Sequence, residues 1–187
     1  MREPGGKREL IREQAMRLFV EHGVDAVSVR DIAIACAMQA SNLYAHFPSK
    51  DALVTGLFHE GYAEYGAIVA DAVSGSGPFR NRLDRVIRVI CRLHDQDNVR
   101  FRFLIMIQHS FLRDVARDER NPVELICRAV AAAMDSGEIP RREPELMAMA
   151  LIGMIVQPAT ARLYGRLQGG LMERAGEIVA MCWRALS

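Results

Sequence analysis

The sequence predicts an all-α protein, and two observations support that fold class. Apolar residues recur three and four positions apart along most of the 187 residues, which is the spacing of one face of an α-helix. No stretch alternates apolar and polar residues for long enough to indicate a strand. Glycine, proline and capping residues separate the helical stretches, so nine helices are expected, at about residues 7–22, 28–36, 39–46, 49–73, 79–94, 99–113, 122–136, 144–164 and 170–186.

The first three predicted helices are short, and particular residues mark their ends. Gly23 ends the first helix because glycine readily adopts the left-handed conformation that follows a helix C-terminus. Ser28 begins the second helix, with Asp31 three residues later as its partner in a capping box. In the third helix Leu43 and Phe47 are expected to point inward, which leaves an outer face of small and polar residues.

The later helices are longer and are separated by clearer breaks. Ser49 caps the fourth helix, and the Ser-Gly-Ser-Gly-Pro stretch at residues 74–78 is the best candidate for a boundary after it. Asn121 caps the seventh helix, with Pro122 at its first position. Pro158 lies inside the eighth helix, where a missing backbone donor predicts a kink or a local opening.

Composition excludes several classes of protein. Lys and Arg number 24 against 23 Asp and Glu, so a net charge of +1 excludes a broadly basic nucleic-acid binder. The longest apolar run, residues 146–156, is shorter than the roughly 20 residues of a membrane span, and no signal segment opens the chain. A cytosolic protein with no membrane partner is therefore expected. The four cysteines are far apart, which favours buried reduced thiols over a redox sensor.

Residues 8–58 contain the most specific pattern in the chain. Its parts are Ala15, Leu18, Phe19 and Gly23 in the first helix, Ser28-Val29-Arg30-Asp31-Ile32-Ala33 in the second, and Leu43-Tyr44-x-His46-Phe47-x-Ser49-Lys50-x-x-Leu53 after it. This segment resembles the DNA-binding domain of TetR-type transcriptional regulators. The resemblance implies a nine-helix fold, with a helix-turn-helix DNA-binding domain in residues 1–48 and a helical effector-binding and dimerisation domain in residues 49–187.

The outer face of the third helix also suits DNA binding on physical grounds. A recognition helix must be short, and its outer face must be small or polar enough to enter the major groove, which residues 39–45 satisfy. Tyr44 can lie against the DNA backbone, or it can be a half-buried packing residue. Ser49 exposes amides at a positive helix end and the Lys50 ammonium adds charge there, so together they predict a phosphate clamp, unless Lys50 is simply solvated.

The resemblance assigns DNA contacts residue by residue. Base reading falls to Arg30, Ala40, Ser41 and Asn42, and backbone contacts fall to Ser28, Gln39, Tyr44, His46 and Lys50; His46 could equally support the domain from inside. The chain departs from the family pattern at Ala37, where glycine is usual, and at Gln39, where Ser or Thr is usual. A left-handed alanine costs roughly 1 kcal/mol, so a reshaped turn is one possibility.

Two later helices carry apolar residues at alternating spacings of four and three. These predict a homodimer interface built as a four-helix bundle, from Met147, Leu151, Met154, Pro158 and Ala161 in the eighth helix and Leu171, Ala175, Ile178 and Cys182 in the ninth. Such a dimer would place two recognition helices about 34–36 Å apart, or a multiple of a helical turn, on a palindromic operator. The alternative is that both faces pack inside one protomer.

The middle of the chain offers apolar residues with a few polar ones among them. This mixture predicts an effector pocket lined by Cys91, His94, Phe103, Met106, His109, Cys127, Met154 and Gln157, although any single one of them can be an ordinary core residue. The resemblance implies a repressor released by a small hydrophobic effector that shifts the fourth helix. A helix-turn-helix dimer without an effector and an all-α enzyme are the alternatives; no E-x-x-H pair or phosphate loop supports an enzyme, and neither a metal nor a cofactor is expected.

Overall fold

A computed structural model describes residues 4–111 and 121–187, and these residues form nine helices and no strand. The helices are α1 (Pro4–His22), α2 (Val29–Ala35), α3 (Ala40–Tyr44), α4 (Lys50–Ser74), α5 (Phe79–Gln96), α6 (Asn98–Phe111), α7 (Pro122–Asp135), α8 (Pro144–Leu163) and α9 (Leu171–Leu186). The all-α prediction is confirmed. The predicted end of the sixth helix at residue 113 lies outside the described residues.

The described residues pack into two compact units, and the division between them falls within α4. The first unit contains the chain up to Gly61 together with Val99–Phe111. The second contains Tyr62–Asn98 and the described chain from Asn121 to Ser187. The functional boundary predicted after residue 48 stays a prediction.

The core of the first unit is built on α1, α4 and α6 around aromatic pairs. Phe19 of α1 stacks on Phe103 of α6 with ring centroids 6.0 Å apart, and Phe58 of α4 stacks on Phe111 at 4.9 Å. At Gly61, an added Cβ would lie only 3.3 Å from the side chain of Leu104. A glycine at this position therefore allows α4 to approach the α6 side chain closely.

In the second unit α5 and α9 form the most extensive helix pair, and they run antiparallel. Near the end of α5, the Asp95 carboxylate accepts hydrogen bonds from the Leu171 and Met172 amides at 3.0 and 2.9 Å, at the start of α9. Arg162 of α8 donates to the same carboxylate at 2.8 Å. A Cβ at residue 170 would lie 2.9 Å from an Asp95 oxygen, so Gly170 leaves room for this junction.

Hydrogen bonding controls the ionisation of Asp95. Burial by itself raises the pKa of the carboxyl, but the bonds from the Met172 amide, His94 and the Leu171 amide outweigh burial. The net effect is a pKa below the usual carboxyl range. Asp95 is therefore a charged cap for α9, supplied by a residue 76 positions earlier in the chain.

The α9 face predicted to contact a second chain lies inside the protomer instead. Its four residues, Leu171, Ala175, Ile178 and Cys182, are 0–2% exposed, and Leu151 of α8 is also fully buried. The dimer prediction is wrong for these five residues because their side chains are already buried within the protomer, where α9 packs mainly on α5. The other four, Met147, Met154, Pro158 and Ala161, are half-buried.

The outward side of α8 is unusually apolar for an exposed helix. Leu146 is 66% exposed, Met149 is also exposed, and α8 continues as a helix through Pro158. By length and composition alone α8 could cross a membrane, since an 18-residue stretch has a mean hydropathy of 1.5 and 22% of it is buried. The sequence argument missed this because it counted only uninterrupted apolar residues.

Candidate nucleic-acid interface

A complete capping box sets the start of α2. The Ser28 amide donates to the Asp31 carboxylate at 2.8 Å, and the Asp31 amide donates to the Ser28 hydroxyl oxygen at 3.2 Å. The Ser28 hydroxyl and amide hydrogen bonds lower the pKa of Asp31, so the carboxylate stays ionised. The predicted capping box is confirmed, and it leaves Arg30 exposed in the first turn of the helix.

The turn after α2 contains a left-handed alanine. Ala37 has a φ of 53°, and it is the only non-glycine residue with positive φ in the described ranges. The Ala37 amide donates to the Ile34 carbonyl and the Met38 amide donates to the Ala33 carbonyl, each at 2.9 Å. This is the Schellman ending that glycine usually completes. The turn therefore keeps its hydrogen bonds, and the cost is steric strain at the Ala37 Cβ.

The helix α3 is a single short turn that presents its polar side to solvent. Leu43 is fully buried and holds α3 against the unit, while Ser41, Asn42 and Tyr44 are exposed and Ala40 is half-exposed. Tyr44 is 53% exposed, so about half of its surface is open to a ligand, and its predicted DNA contact stays a prediction. Gln39 stands at the N-cap without a side-chain hydrogen bond, which leaves its amide group available to a ligand.

Residues after α3 connect it to α4. Both the His46 and the Phe47 amides donate to the Leu43 carbonyl at 2.9 Å, which ends α3 earlier than predicted. Phe47 is buried beneath the guanidinium of Arg8, 5.0 Å from the ring centroid. His46 is half-buried, so neither of its two predicted roles is excluded.

The N-terminus of α4 has the predicted cap, but its lysine is engaged differently. The Ser49 hydroxyl accepts a hydrogen bond from the Ala52 amide at 3.0 Å. The Lys50 ammonium donates to the Val24 carbonyl at 2.9 Å and to the Val27 carbonyl at 3.0 Å. Lys50 is therefore neither a free phosphate ligand nor a solvated lysine here. Its partners lie 26 and 23 residues away, and no local pattern of residues pointed to them.

The residues predicted to form one effector pocket are divided between the two units. Phe103, Met106 and His109 belong to the first unit, and the other five belong to the second. Cys91, His94 and Phe103 are at most 1% exposed, so they line no cavity that a water molecule could enter. Cys91 and Phe103 fill cores and His94 packs beside Asp95, so the role of these three residues in an effector pocket stays a prediction. Met106, His109 and Gln157 are exposed, and Cys127 and Met154 are half-buried.

Other residues form an apolar cavity in the second unit. It has a volume of about 20 Å³ and lies among side chains of α4, α5, α7 and α8, including Val73, Val86, Ile126 and Ile155. Elsewhere in this unit, the Tyr62 hydroxyl donates to the Asn121 side-chain oxygen at 3.2 Å. Burial, together with the charge of Glu124, raises the pKa of Tyr62 to about 12. The sequence reading passed over Tyr62, although a tyrosine on a predicted helix is a common polar anchor.

Three of the four thiols, those of Cys36, Cys91 and Cys182, have the properties of core residues. Burial raises the pKa of Cys91 and of Cys182 to about 11 in each case, and it also raises the pKa of Cys36. Because the thiolate is the reactive form, these groups are poor targets for oxidation. Among the described residues, no three His, Cys, Asp or Glu side chains are close enough to hold a metal ion.

Sequence comparison identifies the same N-terminal segment. Residues 11–57 match the family described as "Bacterial regulatory proteins, tetR family". Over 72 residues the chain is 36% identical to the HTH-type transcriptional repressor KstR2 of Rhodococcus jostii (strain RHA1), a match that covers 36% of this chain and 35% of that protein. Over 56 residues it is 38% identical to the uncharacterized HTH-type transcriptional regulator YuxN of Bacillus subtilis (strain 168), covering 30% of this chain and 19% of that protein. The match spans about a third or less of these relatives.

Comparison with solved structures extends the likeness in fold to nearly the whole chain. The TetR family transcriptional regulator PfmR from Thermus thermophilus has a TM-score of 0.80 at 21% identity, covering 95% of this chain and 98% of that one. A regulatory protein in the tetR family from Rhodococcus RHA1 has a TM-score of 0.82 at 19% identity, covering 97% of each chain. The N-terminal segment is thus similar in sequence to the TetR family of bacterial regulatory proteins, and nearly the whole chain shares the fold of these solved regulators.

Proposed function

We propose that this protein is a sequence-specific, DNA-binding transcriptional regulator. The observation that carries the proposal is the exposed polar face of α3, in the same unit as the capped starts of α2 and α4. Helix starts attract phosphate, and an exposed short helix can enter the major groove. With a net charge of only +1, binding depends on where these few groups are placed.

The exposed residues suggest a division of labour on DNA. Arg30 and Asn42 carry the side chains that pair with guanine and adenine edges, and Ala40 and Ser41 are small enough to allow α3 close to the bases. The backbone contacts fall to Ser28, Gln39, Tyr44 and His46, with the amides after Ser49. The Lys50 ammonium is hydrogen-bonded to two carbonyl groups of this chain, those of Val24 and Val27.

A homodimer is the second part of the proposal, on a face different from the one predicted from spacing. The outward sides of α8 and α9 present Leu146, Met149, Gly153 and Gln157 on α8, and Gly176, Ala180 and Met181 on α9. Gly153 and Gly176 have open space where a Cβ would be, so a second backbone could approach closely there. A second copy of the chain would cover the exposed apolar side chains of α8 and would bind a palindromic operator.

The sign of regulation and the effector complete the proposal. Repression is supported by the relative that is named a repressor. A small hydrophobic effector would bind in the second unit, and α4 would transmit the change because it contributes residues to both units. The apolar cavity of about 20 Å³ is far below the roughly 300 Å³ of an ordinary ligand site. This cavity would have to widen before it could hold such an effector.

The effector is tested by thermal denaturation with a panel of hydrophobic compounds. A compound present at 100 times its dissociation constant adds about 2.7 kcal/mol to the free energy of unfolding. Release of DNA by the same compound supports the repressor mechanism. A regulator without an effector is favoured instead if no compound raises the midpoint. With or without an effector, the proposed regulator would act in the cytoplasm, because bacterial DNA lies there.

DNA binding is tested by selecting oligonucleotides from a random pool with the purified protein and then measuring two variants. Tyr44→Ala is expected to weaken binding to the selected DNA and to unrelated DNA alike, by about tenfold. Asn42→Ala is expected to relax preference at one base pair, since one good base contact is worth about 1–3 kcal/mol. Tyr164→Ala, at an exposed tyrosine of the second unit, is the matched control. The proposal fails if no sequence is enriched, or if Tyr44→Ala behaves like Tyr164→Ala.

A further inference from the structure

Lys50 connects the starts of α2 and α4, the two helix starts to which the proposed function assigns DNA contacts. Its backbone belongs to the first turn of α4, directly after the Ser49 cap. Its ammonium reaches the carbonyls of Val24 and Val27, in the short loop between α1 and α2. Val27 is buried and directly precedes Ser28, the N-cap of α2. Through one side chain, the start of α4 is hydrogen-bonded to the residue that leads into α2.

The geometry uses most of the hydrogen-bonding capacity of the ammonium. A lysine ammonium has three donors, and two of them point at carbonyl oxygens 2.9 and 3.0 Å away. A compact ammonium fits between two converging carbonyls, whereas the planar fork of arginine fits a carboxylate or a phosphate. The chain contains only two lysines, Lys7 and Lys50, among its 24 basic residues. Lysine is thus used sparingly, and at this site its shape matches its partners.

We infer that Lys50 is a positioning residue, which holds the starts of α2 and α4 in fixed register so that both engage DNA together. This inference rests on the proposed DNA-binding function. Arg30 and the capping box of Ser28 lie at one start, and the amides following Ser49 lie at the other. The phosphate contact near α4 is then made by backbone amides, with Lys50 setting their place.

Three variants test the role of Lys50 in full-length protein. Lys50→Met keeps the length of the side chain and removes the donors, while Lys50→Arg restores a cation that can donate to carbonyls. Lys7→Met removes one charge from an exposed lysine of α1 and is the matched control. For each protein we would measure operator affinity as a function of salt and amide hydrogen exchange over residues 27–33 and 50–54 without DNA.

For Lys50→Met we expect operator affinity to fall by about tenfold, with an unchanged slope of log affinity against log salt. Amide exchange at the starts of α2 and α4 should quicken, and Lys50→Arg should recover part of the affinity. A slope reduced by about 0.9 with unchanged exchange would make Lys50 a phosphate ligand and overturn the inference. A lower melting temperature with full affinity in the folded protein would reduce Lys50 to a structural residue and also overturn it.

A measurement on the unaltered protein keeps the inference testable if Lys50→Met does not fold. Acylation of the two lysine amines, followed by mass spectrometry, uses Lys7 as an internal reference. Lys50 should react at least about fivefold more slowly than Lys7 in the folded protein, and equally fast in denaturant. Equal rates in the folded protein would contradict the carbonyl contacts. Both this readout and hydrogen exchange need no DNA, so they separate a failure at Lys50 from a failure of the proposed function.

Discussion

The two units of this protein hold their helices by different means. In the first unit, α2 and α3 have seven and five residues, too few to be stable by themselves, and hydrogen bonds at their ends and at the start of α4 define them. In the second unit, α5, α7, α8 and α9 have 14–20 residues each and are held by long buried faces. The groups that the first unit exposes are therefore set by where its helices begin and end. The groups that the second unit exposes are set by which faces of its long helices are left uncovered.

This difference has a functional meaning. Capped helix starts and a short exposed helix hold hydrogen-bonding groups in defined positions, from which they can contact phosphates and bases. A partly uncovered pair of long helices instead offers area, which is what association between two chains requires. In the proposed function, the first unit would therefore contact DNA and the second unit would contact a second copy of the chain.

Adjacent positions on α9 give the sharpest test of this comparison, with the largest expected effects. Ala175 is fully buried against the core, so Ala175→Arg should unfold the second unit, at a cost of several kcal/mol. Gly176 points to open space, and Gly176→Arg should leave the protomer folded or even raise helix stability by about 1 kcal/mol. Circular dichroism melts measure both effects.

The same pair tests the dimer. Gly176→Arg should convert dimers into monomers in sedimentation and should lower operator affinity by about a hundredfold, because each half-site then binds alone. A folded Ala175→Arg protein would contradict the inner position of that face. If the Gly176→Arg protein is still dimeric, the interface lies elsewhere. If the unaltered protein partitions into lipid vesicles, the exposed side of α8 contacts a membrane instead.

The next largest effect is expected at the charged cap of α9. Asp95→Asn should lower the free energy of unfolding by about 2–3 kcal/mol at pH 7, since several hydrogen bonds lose a charged acceptor. The matched control is Asp84→Asn on the same helix, whose ion pair with Arg88 is solvent-exposed, so this change should affect stability far less. Denaturant titration measures both differences.

The dependence on pH follows from the direction of the Asp95 shift. The folded pKa lies below the unfolded value of about 3.9, so the carboxylate contributes stability above that pH. The contribution is lost as the pH falls through the folded pKa. The gap in stability between the unaltered protein and Asp95→Asn should therefore be full above about pH 5 and should narrow below about pH 4. A constant gap over this range would show that the charge of Asp95 is not what stabilises the junction.

The smallest expected effect concerns a helix end in the first unit. Ala37→Gly removes a Cβ from a left-handed residue but gives the unfolded chain more freedom, so the net gain in stability should be about 0.5 kcal/mol. Ala26→Gly, at an exposed loop alanine without positive φ, should lower stability by a similar amount. Chemical denaturation with opposite shifts for the two variants would support strain at Ala37, and a loss at both positions would exclude it.

Sequence alone predicted much of the first unit because its signals are local. The capping box of Ser28 and the N-cap at Ser49 each involve residues three positions apart. The turn at Ala37 did not follow in this way, because it keeps its hydrogen bonds where a reshaped turn was considered. Local hydrogen bonds of this kind can be read from residue types and spacing. The exposed side of α3 followed in the same way, since Leu43 occupies its inner side.

Sequence also determined the all-α class and the order of the helices, because backbone hydrogen bonds and periodicity act within one segment. Only the tertiary structure decided which partner each face and each charge would find. Cys182 proved to be core and not interface, His94 packs beside Asp95, and Lys50 binds carbonyls 23 and 26 residues away. An apolar face or a free cation needs a partner, but its spacing in sequence does not say which partner, because contacts between distant segments depend on how all the helices pack together.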